Sequence, residues 1–75
     1  MVKAVILVNI SPEKTKNTFE KVNKFPEVTE SFLVYGEYDS VFVVNTKNTH
    51  GIQDLVMKIR KIPGVLRTVT VIEMI

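Results

Sequence analysis

The sequence predicts a single α+β domain whose strands (β) and helices (α) follow in the order βαββαβ, and three observations support this. Runs of Val, Ile and Leu typical of strands alternate with two stretches in which apolar residues recur at helical spacing. The two halves of the chain contain matching segments. The length of 75 residues leaves room for one domain and no more.

The first unit begins with a strand and continues into a helix. Residues 2–10 are apolar on both alternating faces, which is typical of a strand covered on both sides. Ser11 offers an oxygen for an N-cap, Pro12 suits the first helical position and Glu13 favours the positive end of the helix dipole. These residues predict a helix over residues 12–23. Its apolar stripe is thin and consists of Phe19, Val22 and Phe25.

The middle of the chain is predicted to form a hairpin. Pro26 stops the first helix, and residues 28–35 alternate as a strand. Gly36 can adopt the positive φ that a tight turn between antiparallel strands requires. Residues 38–46 then form a strand that is again apolar on both faces.

The second unit has the cleaner helical pattern. Asn48 or Thr49 is the expected N-cap. Apolar residues at positions i, i+3, i+4, i+7 and i+10 then predict an amphipathic helix, and they are Ile52, Leu55, Val56, Ile59 and Ile62. Pro63 and Gly64 end this helix, and residues 65–74 form the last strand.

The matching segments indicate a duplicated strand–helix–strand unit. Asn9 corresponds to Asn45, 36 positions later, and Pro26 corresponds to Pro63, 37 positions later. Right-handed crossovers then place both helices on one face of a four-stranded antiparallel sheet, the ferredoxin-like arrangement, with the first and third strands in its centre. The sequence leaves open which residues of each central strand face the helices, because both alternating sets are apolar.

Helices on one side of the sheet leave its other apolar face uncovered. A domain of this size buries only about 60 to 65% of its unfolded surface, so its stability is expected to be shared with a partner subunit. The sequence therefore predicts a homodimer through the sheet face.

Composition excludes several classes of function. The net charge of +2 is too small to argue for a nucleic-acid partner. The absence of cysteine excludes disulfides, thiolate catalysis and zinc–thiolate sites. The apolar run over residues 1–10 is too short to span a membrane and lacks a cleavage-like site, so we expect a cytoplasmic protein without a membrane partner.

Catalytic and metal-binding residues are not indicated. His50, the single histidine, is expected in a solvated loop or first helical turn, and a transition-metal site would have to rest mostly on carboxylates. Ser11 and Ser40 have no histidine relay in their sequence context, and no Gly-rich phosphate loop is present. We therefore expect neither an enzyme nor a cofactor.

The order and spacing of the motifs resemble the effector-binding domain of the Lrp/AsnC family of transcriptional regulators, also called the RAM domain. The most specific parts are residues 36–39, Gly-Glu-Tyr-Asp, and the Pro-Gly-Val entry at residues 63–65 into a last strand that contains threonines. The resemblance covers residues 1–75, which are expected to form one such domain. Because no helix-turn-helix precedes the first strand, we expect a stand-alone module that does not contact nucleic acid directly.

The resemblance also implies a ligand site and an assembly. Domains of the family pair through their sheets, assemble further into rings of dimers and hold amino-acid effectors between dimers. Gly36, Tyr38 and Asp39 match the ligand-contact motif, in which Asp39 would accept from the ligand's ammonium group. Thr68 and Thr70 are implied contacts to the ligand's side chain. In the alternative interpretation, Gly36 merely makes the turn and Asp39 merely caps it.

Two functions of different class follow. The first is a sensor in which an amino acid or similar small metabolite binds between subunits and alters assembly. The second is a structural module that co-assembles with full-length Lrp/AsnC regulators and needs no ligand. Single-stranded RNA binding on an RRM-like sheet ranks last, because the central strands lack the required basic and aromatic pattern. The ACT domain is a fold relative that also binds amino acids between subunits. The Gly-x-Tyr-Asp motif distinguishes this sequence from it.

Overall fold

The computed structural model describes residues 1–74 and contains the predicted elements in the predicted order. The strands are β1 (Val2–Ile10), β2 (Val28–Leu33), β3 (Ser40–Thr46) and β4 (Val65–Ile72). The helices are α1 (Thr15–Asn23) and α2 (Thr49–Arg60). The strands form one antiparallel sheet in the order β2-β3-β1-β4, so the two strands that are apolar on both faces lie in its centre. The ferredoxin-like prediction is confirmed.

The first helix begins later than the sequence predicts. The Ser11 side chain makes no capping hydrogen bond. Instead, the Ser11 carbonyl accepts from the Lys14 N–H at 2.9 Å, which closes a 3-10 turn over Pro12–Lys14 before α1 starts at Thr15. The Ser11 N–H is bound to the Gly64 carbonyl at 2.8 Å, so this residue links the start of the helix to the entry of β4.

The second helix begins as predicted. Asn48 is the N-cap, and its side-chain oxygen accepts from the Gly51 N–H at 2.9 Å. Ile52, Leu55 and Ile59 are buried along one stripe of α2. The apolar stripe of α2 therefore faces the sheet.

The structure decides which residues of the central strands face the helices. In β1 the even-numbered residues from Ala4 to Ile10 are buried, and Ile6 lies opposite Phe42 of β3. Residues directly opposite each other in an antiparallel pair share a face. This face packs against Val22 of α1 and the buried stripe of α2, so both helices lie on one side and enclose the hydrophobic core.

No element of residues 1–74 covers the other face of the sheet. In β1, Val5 lies opposite Val43 of β3 and Val71 of β4, and the β2 residue Phe32 lies opposite Val41. Phe32 is 49% exposed and Val71 is 55% exposed. We call this surface the bare face. Its apolar residues are Val5, Leu7, Phe32, Val41, Val43, Val69 and Val71, and Glu30 lies on the same face, opposite Val43.

The two strands of the hairpin are shorter than predicted. Strand β2 ends at Leu33 rather than at residue 35, and β3 begins at Ser40 rather than at residue 38. The last contact across the hairpin is the hydrogen bond from the Val34 N–H to the Asp39 carbonyl, at 2.9 Å. Residues 34–39 form a loop instead of a two-residue turn, and we call this segment the hairpin loop. Neither helix within residues 1–74 is long and apolar enough to cross a membrane.

Candidate functional site

The hairpin loop lies at the end of the sheet where β1 ends and β4 begins. Gly36, at its tip, has a φ of 135°, which confirms the predicted positive φ. No atom lies within 4 Å of the place where a Cβ on Gly36 would sit. The glycine is therefore needed for its backbone conformation and not because a neighbour crowds it.

Asp39 joins the hairpin loop to the end of β1. Its Oδ2 atom accepts a hydrogen bond from the Ile10 N–H at 2.8 Å, and its own N–H donates to the Val8 carbonyl at 3.1 Å. The side chain is half-buried, and the second carboxylate oxygen, Oδ1, accepts no hydrogen bond from residues 1–74. Asp39 therefore caps a neighbouring strand with one oxygen and has the other available for a ligand.

Asn9 holds the loop from the same strand. Its Nδ2 atom donates to the Glu37 carbonyl at 2.7 Å. Behind the loop, the buried Ser40 hydroxyl donates to the Val8 carbonyl at 3.3 Å. Asn9 was not among the predicted site residues. The only feature of the sequence that points to Asn9 is its polar amide near the end of an otherwise apolar strand.

Tyr38 is held by Arg67 of β4, which lies 29 residues further along the chain. Its hydroxyl accepts a hydrogen bond from Arg67 Nη2 at 3.1 Å, and the guanidinium carbon lies 5.5 Å from the centre of the ring. Arg67 is exposed and lies opposite Asn9 in the β1–β4 pairing. It forms no ion pair with a carboxylate in the described part of the chain. Arg67 was not among the predicted site residues and falls within the predicted last strand, residues 65–74.

The two threonines are separate from this cluster. Thr68 lies opposite Val8 and Thr70 lies opposite Ile6, and both partners are buried beneath the helices. The threonines therefore point to the helix side of β4. Thr70 lines an apolar groove of about 400 Å³ between α2 and β4, together with Val56. Within one chain, the structure brings Gly36, Tyr38 and Asp39 together in the loop and keeps Thr68 and Thr70 apart from them.

The surface beside Asp39 is concave. A hollow of about 320 Å³ is lined by Asp39, by Thr15 of α1 and by the end of β2 and the first part of the loop. Small-ligand sites have volumes of about 300–1,000 Å³, so the hollow lies at the lower end of that range. Its walls are partly apolar, with Leu33, Val34 and Tyr35 among them.

The other end of the sheet carries a larger hollow, and its wall includes Glu27, whose buried Oε1 accepts no hydrogen bond from residues 1–74. This hollow measures about 590 Å³, and exposed residues around the start of α2 form much of its wall. His50 lies in the first turn of α2, as expected, with a 79% exposed side chain whose Nε2 is 3.7 Å from the Asp54 carboxylate. Residues 1–74 contain no group of three or more His, Asp or Glu side chains placed to hold a metal ion.

Comparison with known sequences identifies relatives of the chain. The sequence model described as the Lrp/AsnC ligand binding domain matches residues 3–74. The HTH-type transcriptional regulator FL11 of Pyrococcus horikoshii is 35% identical over 69 residues, which make up 92% of this chain and 46% of that protein. The chain spans about half the length of the curated relatives it matches.

Solved structures show the same architecture. The crystal structure of FFRP-DM1 superposes with a TM-score of 0.93 at 37% identity, covering 99% of this chain and 100% of that one. A transcriptional regulator of Neisseria meningitidis in complex with L-Met has a TM-score of 0.87 over 97% of this chain and 49% of that one, and at 22% identity this likeness shows the fold alone. The match over residues 3–74 places the chain in the family of Lrp/AsnC ligand-binding domains.

Proposed function

We propose that the domain binds a free amino acid at the hairpin loop and that binding alters how copies of the chain assemble. The observation that carries the proposal is Asp39, whose Oδ2 is held by the Ile10 N–H while Oδ1 has no partner within residues 1–74, beside a hollow of about 320 Å³. A carboxylate held in this way is already oriented, so binding an ammonium group requires little further ordering.

The loop also offers donors for the ligand's carboxylate. The backbone N–H groups of residues 35–38 donate to no backbone carbonyl within the described chain. Successive backbone N–H groups that lack a carbonyl partner can bind an anion. An acceptor for the ammonium group and donors for the carboxylate are the two requirements for recognising a free amino acid. The threonines at residues 68 and 70 would contribute if a neighbouring copy brought its β4 to the loop.

The bare face supports assembly. Seven apolar residues lie on this face, among which Phe32 and Val71 are about half exposed, and exposed apolar patches mark protein contacts. A second copy of the chain, related by two-fold symmetry, would place the same surface against itself. Ligand binding changes assembly when the ligand has different affinities for two assembly states. In this proposal the domain regulates through assembly and neither catalyses a reaction nor contacts DNA itself.

Titration calorimetry with each of the 20 common L-amino acids tests binding, and sedimentation velocity with and without each ligand tests assembly. We expect Asp39→Asn to weaken binding about ten- to hundredfold, because it removes the charge that attracts the ammonium group while its amide oxygen still caps Ile10. Asp54→Asn is the matched control, since Asp54 is exposed in the middle of α2.

Asp54→Asn should leave binding unchanged. Titrations without heat for every amino acid, together with an unchanged sedimentation profile, would reject the proposal. Binding that Asp39→Asn and Asp54→Asn affect equally would reject the loop as its location.

A second candidate function also rests on the bare face. The same apolar surface suits co-assembly with a full-length regulator of the family, for which no ligand is needed. Affinity capture from native extract with the tagged chain distinguishes the two functions. Recovery of a full-length Lrp/AsnC regulator, identified by mass spectrometry, would support co-assembly, and recovery of the chain alone would reject it.

A further inference from the structure

We propose that the hollow at the start of α2, whose wall includes Glu27, binds a small organic molecule with an ammonium group at one end and an anionic group at the other. Glu27 accepts the ammonium group. We call this place the Glu27 hollow. Strand β3 runs from the hairpin loop at one end of the sheet to this hollow at the other, so the site is separate from the one proposed above.

The backbone fixes the position of Glu27 beside the hollow. Its carbonyl accepts a hydrogen bond from the Asn45 N–H at 3.0 Å, and the next residue, Val28, pairs with Val44 as the first residue of β2. Glu27 therefore lies next to the end of β3. Residues 45–48, which lead from β3 into α2, form the neighbouring part of the wall.

The carboxylate of Glu27 is shielded from water on one side and has no partner. Its Oε1 atom is buried and accepts no hydrogen bond from residues 1–74, whereas Oε2 is not enclosed in this way. No cationic group of the described chain forms an ion pair with Glu27. A charge that has lost part of its water without gaining a partner is costly. A cation that binds at the open side of the carboxylate offsets that cost.

The surroundings favour an ammonium group over a metal ion. Metal ions require several ligands, and residues 1–74 contain no group of three His, Asp or Glu side chains placed to supply them. The other carboxylate in the wall, that of Asp54, is 62% exposed and lies 3.7 Å from His50. An ammonium group, in contrast, can be bound by a single carboxylate. The volume of about 590 Å³ is also that of a small-molecule site.

The positive groups around the hollow determine the charge at the far end of the ligand. Lys47 and Lys58 are exposed in its wall, and neither forms an ion pair within residues 1–74. The N–H groups of residues 49 and 50, in the first turn of α2, donate to no backbone carbonyl of the described chain and add the positive end of the helix dipole. These groups repel a second ammonium group and attract a carboxylate or a phosphate.

Two series of probes test binding to the unmodified chain. The unbranched ω-amino acids from β-alanine to ε-aminocaproate carry an ammonium group and a carboxylate at increasing separation, and the ω-aminoalkyl phosphates, beginning with phosphoethanolamine, carry a phosphate instead. Butylamine has the ammonium group alone, butyrate has the anion alone and putrescine has two ammonium groups. Amide chemical-shift changes in two-dimensional NMR spectra locate each probe, and titrations give its Kd.

We expect at least one member of the two series to shift the amide signals of residues 45–51, and the series that binds more tightly identifies the anion. Butylamine, butyrate and putrescine should each bind at least roughly tenfold more weakly, because each lacks one of the two charges. These comparisons use the unmodified chain and therefore do not depend on the folding of any variant. Butyrate binding as tightly as the best probe would overturn the inference.

Glu27→Gln should weaken binding of the best probe roughly ten- to hundredfold, because it removes the charge that attracts the ammonium group. Glu20→Gln is the matched control, since Glu20 is exposed on α1 and lies outside the wall of the hollow. It should bind as the unmodified chain does. Unchanged binding in Glu27→Gln, or no probe that shifts residues 45–51, would overturn the inference.

A structural role for Glu27 gives a different pattern in thermal unfolding without any probe. If the carboxylate paired with a lysine of the chain itself in solution, Glu27→Gln and Lys58→Gln would both lower the melting temperature. We expect Glu27→Gln to melt at the same temperature as the unmodified chain or higher, since it removes a charge that lacks a partner. Lower melting temperatures in both variants would overturn the inference. The proposed function would stand in every such case, because it concerns the hairpin loop.

Discussion

At the scale of single residues, the hairpin loop and the entry of β4 each depend on one glycine. Gly36 has a φ of 135° and Gly64 has a φ of 102°. The surroundings of the two differ, because a Cβ on Gly64 would collide with the hydroxyl of Thr18, whereas a Cβ on Gly36 would meet open space. Thr18 is buried and donates to the Pro63 carbonyl at 3.0 Å, so it cannot move aside without losing that bond.

We therefore expect Gly64→Ala to destabilise the protein more than Gly36→Ala. Both variants carry the strain of a positive φ, about 1–3 kcal/mol. Only Gly64→Ala adds the collision with Thr18. Chemical denaturation at one protein concentration measures the two free energies of unfolding, and Gly36→Ala is the matched control. Equal losses in the two variants would show that the contact with Thr18 has no energetic effect.

At the scale of secondary-structure elements, the two helices start by different means. Helix α2 has a side-chain cap, whereas α1 follows a 3-10 turn that uses the Ser11 carbonyl. Both helices then bury an apolar stripe against the even-numbered residues of β1. In proteins most helical stability comes from such packing, which explains why α1 forms despite a missing side-chain cap and a thin stripe.

Asn48→Ala should destabilise the protein by about 1 kcal/mol, because it leaves the Gly51 N–H without its side-chain acceptor. For a domain of this size, that loss lowers the melting temperature by about 4–8 °C. Asn17→Ala, at an exposed position within α1, is the control and should be neutral or slightly stabilising, because Ala has the higher helix propensity. Thermal unfolding of both variants at the same protein concentration measures the effect. A smaller loss for Asn48→Ala than for Asn17→Ala would contradict the capping role.

At the scale of the whole molecule, the one-sided arrangement of the helices has the largest consequence. The core lies between the helices and one face of the sheet, and the bare face has no partner within residues 1–74. Stable interfaces usually bury about 800 Å² on each partner. Homodimerisation would remove this apolar surface from water.

Two matched substitutions test the location of the dimer interface. Val71 on the bare face and Met57 on α2 are both 55% exposed, so each accepts a lysine without disturbing the core. We expect Val71→Lys to weaken self-association at least roughly tenfold, since it places a charge against the partner's apolar face, and Met57→Lys to leave it unchanged. Sedimentation velocity across a range of protein concentrations measures both. The reverse ranking would place the interface on the helical side.

The sequence alone determined the elements, their order and the central position of β1 and β3. These features follow from local patterns: apolar spacing of two or 3.6 residues, Pro and Gly at the ends of elements, and the handedness of crossovers. The positive φ of Gly36 and the cap at Asn48 were predictable for the same reason, since each depends on neighbours in the chain.

Only the tertiary structure decided which face of the sheet is bare and which groups surround the hairpin loop. Both sets of residues in β1 and β3 are apolar, so hydrophobicity could not choose between them, and the packing of the helices did. The contacts of the loop join residues 28 or 29 positions apart, in the pairs Asn9–Glu37, Ile10–Asp39 and Tyr38–Arg67. Such contacts depend on strand register, which the apolar pattern does not fix when both faces of the central strands are apolar.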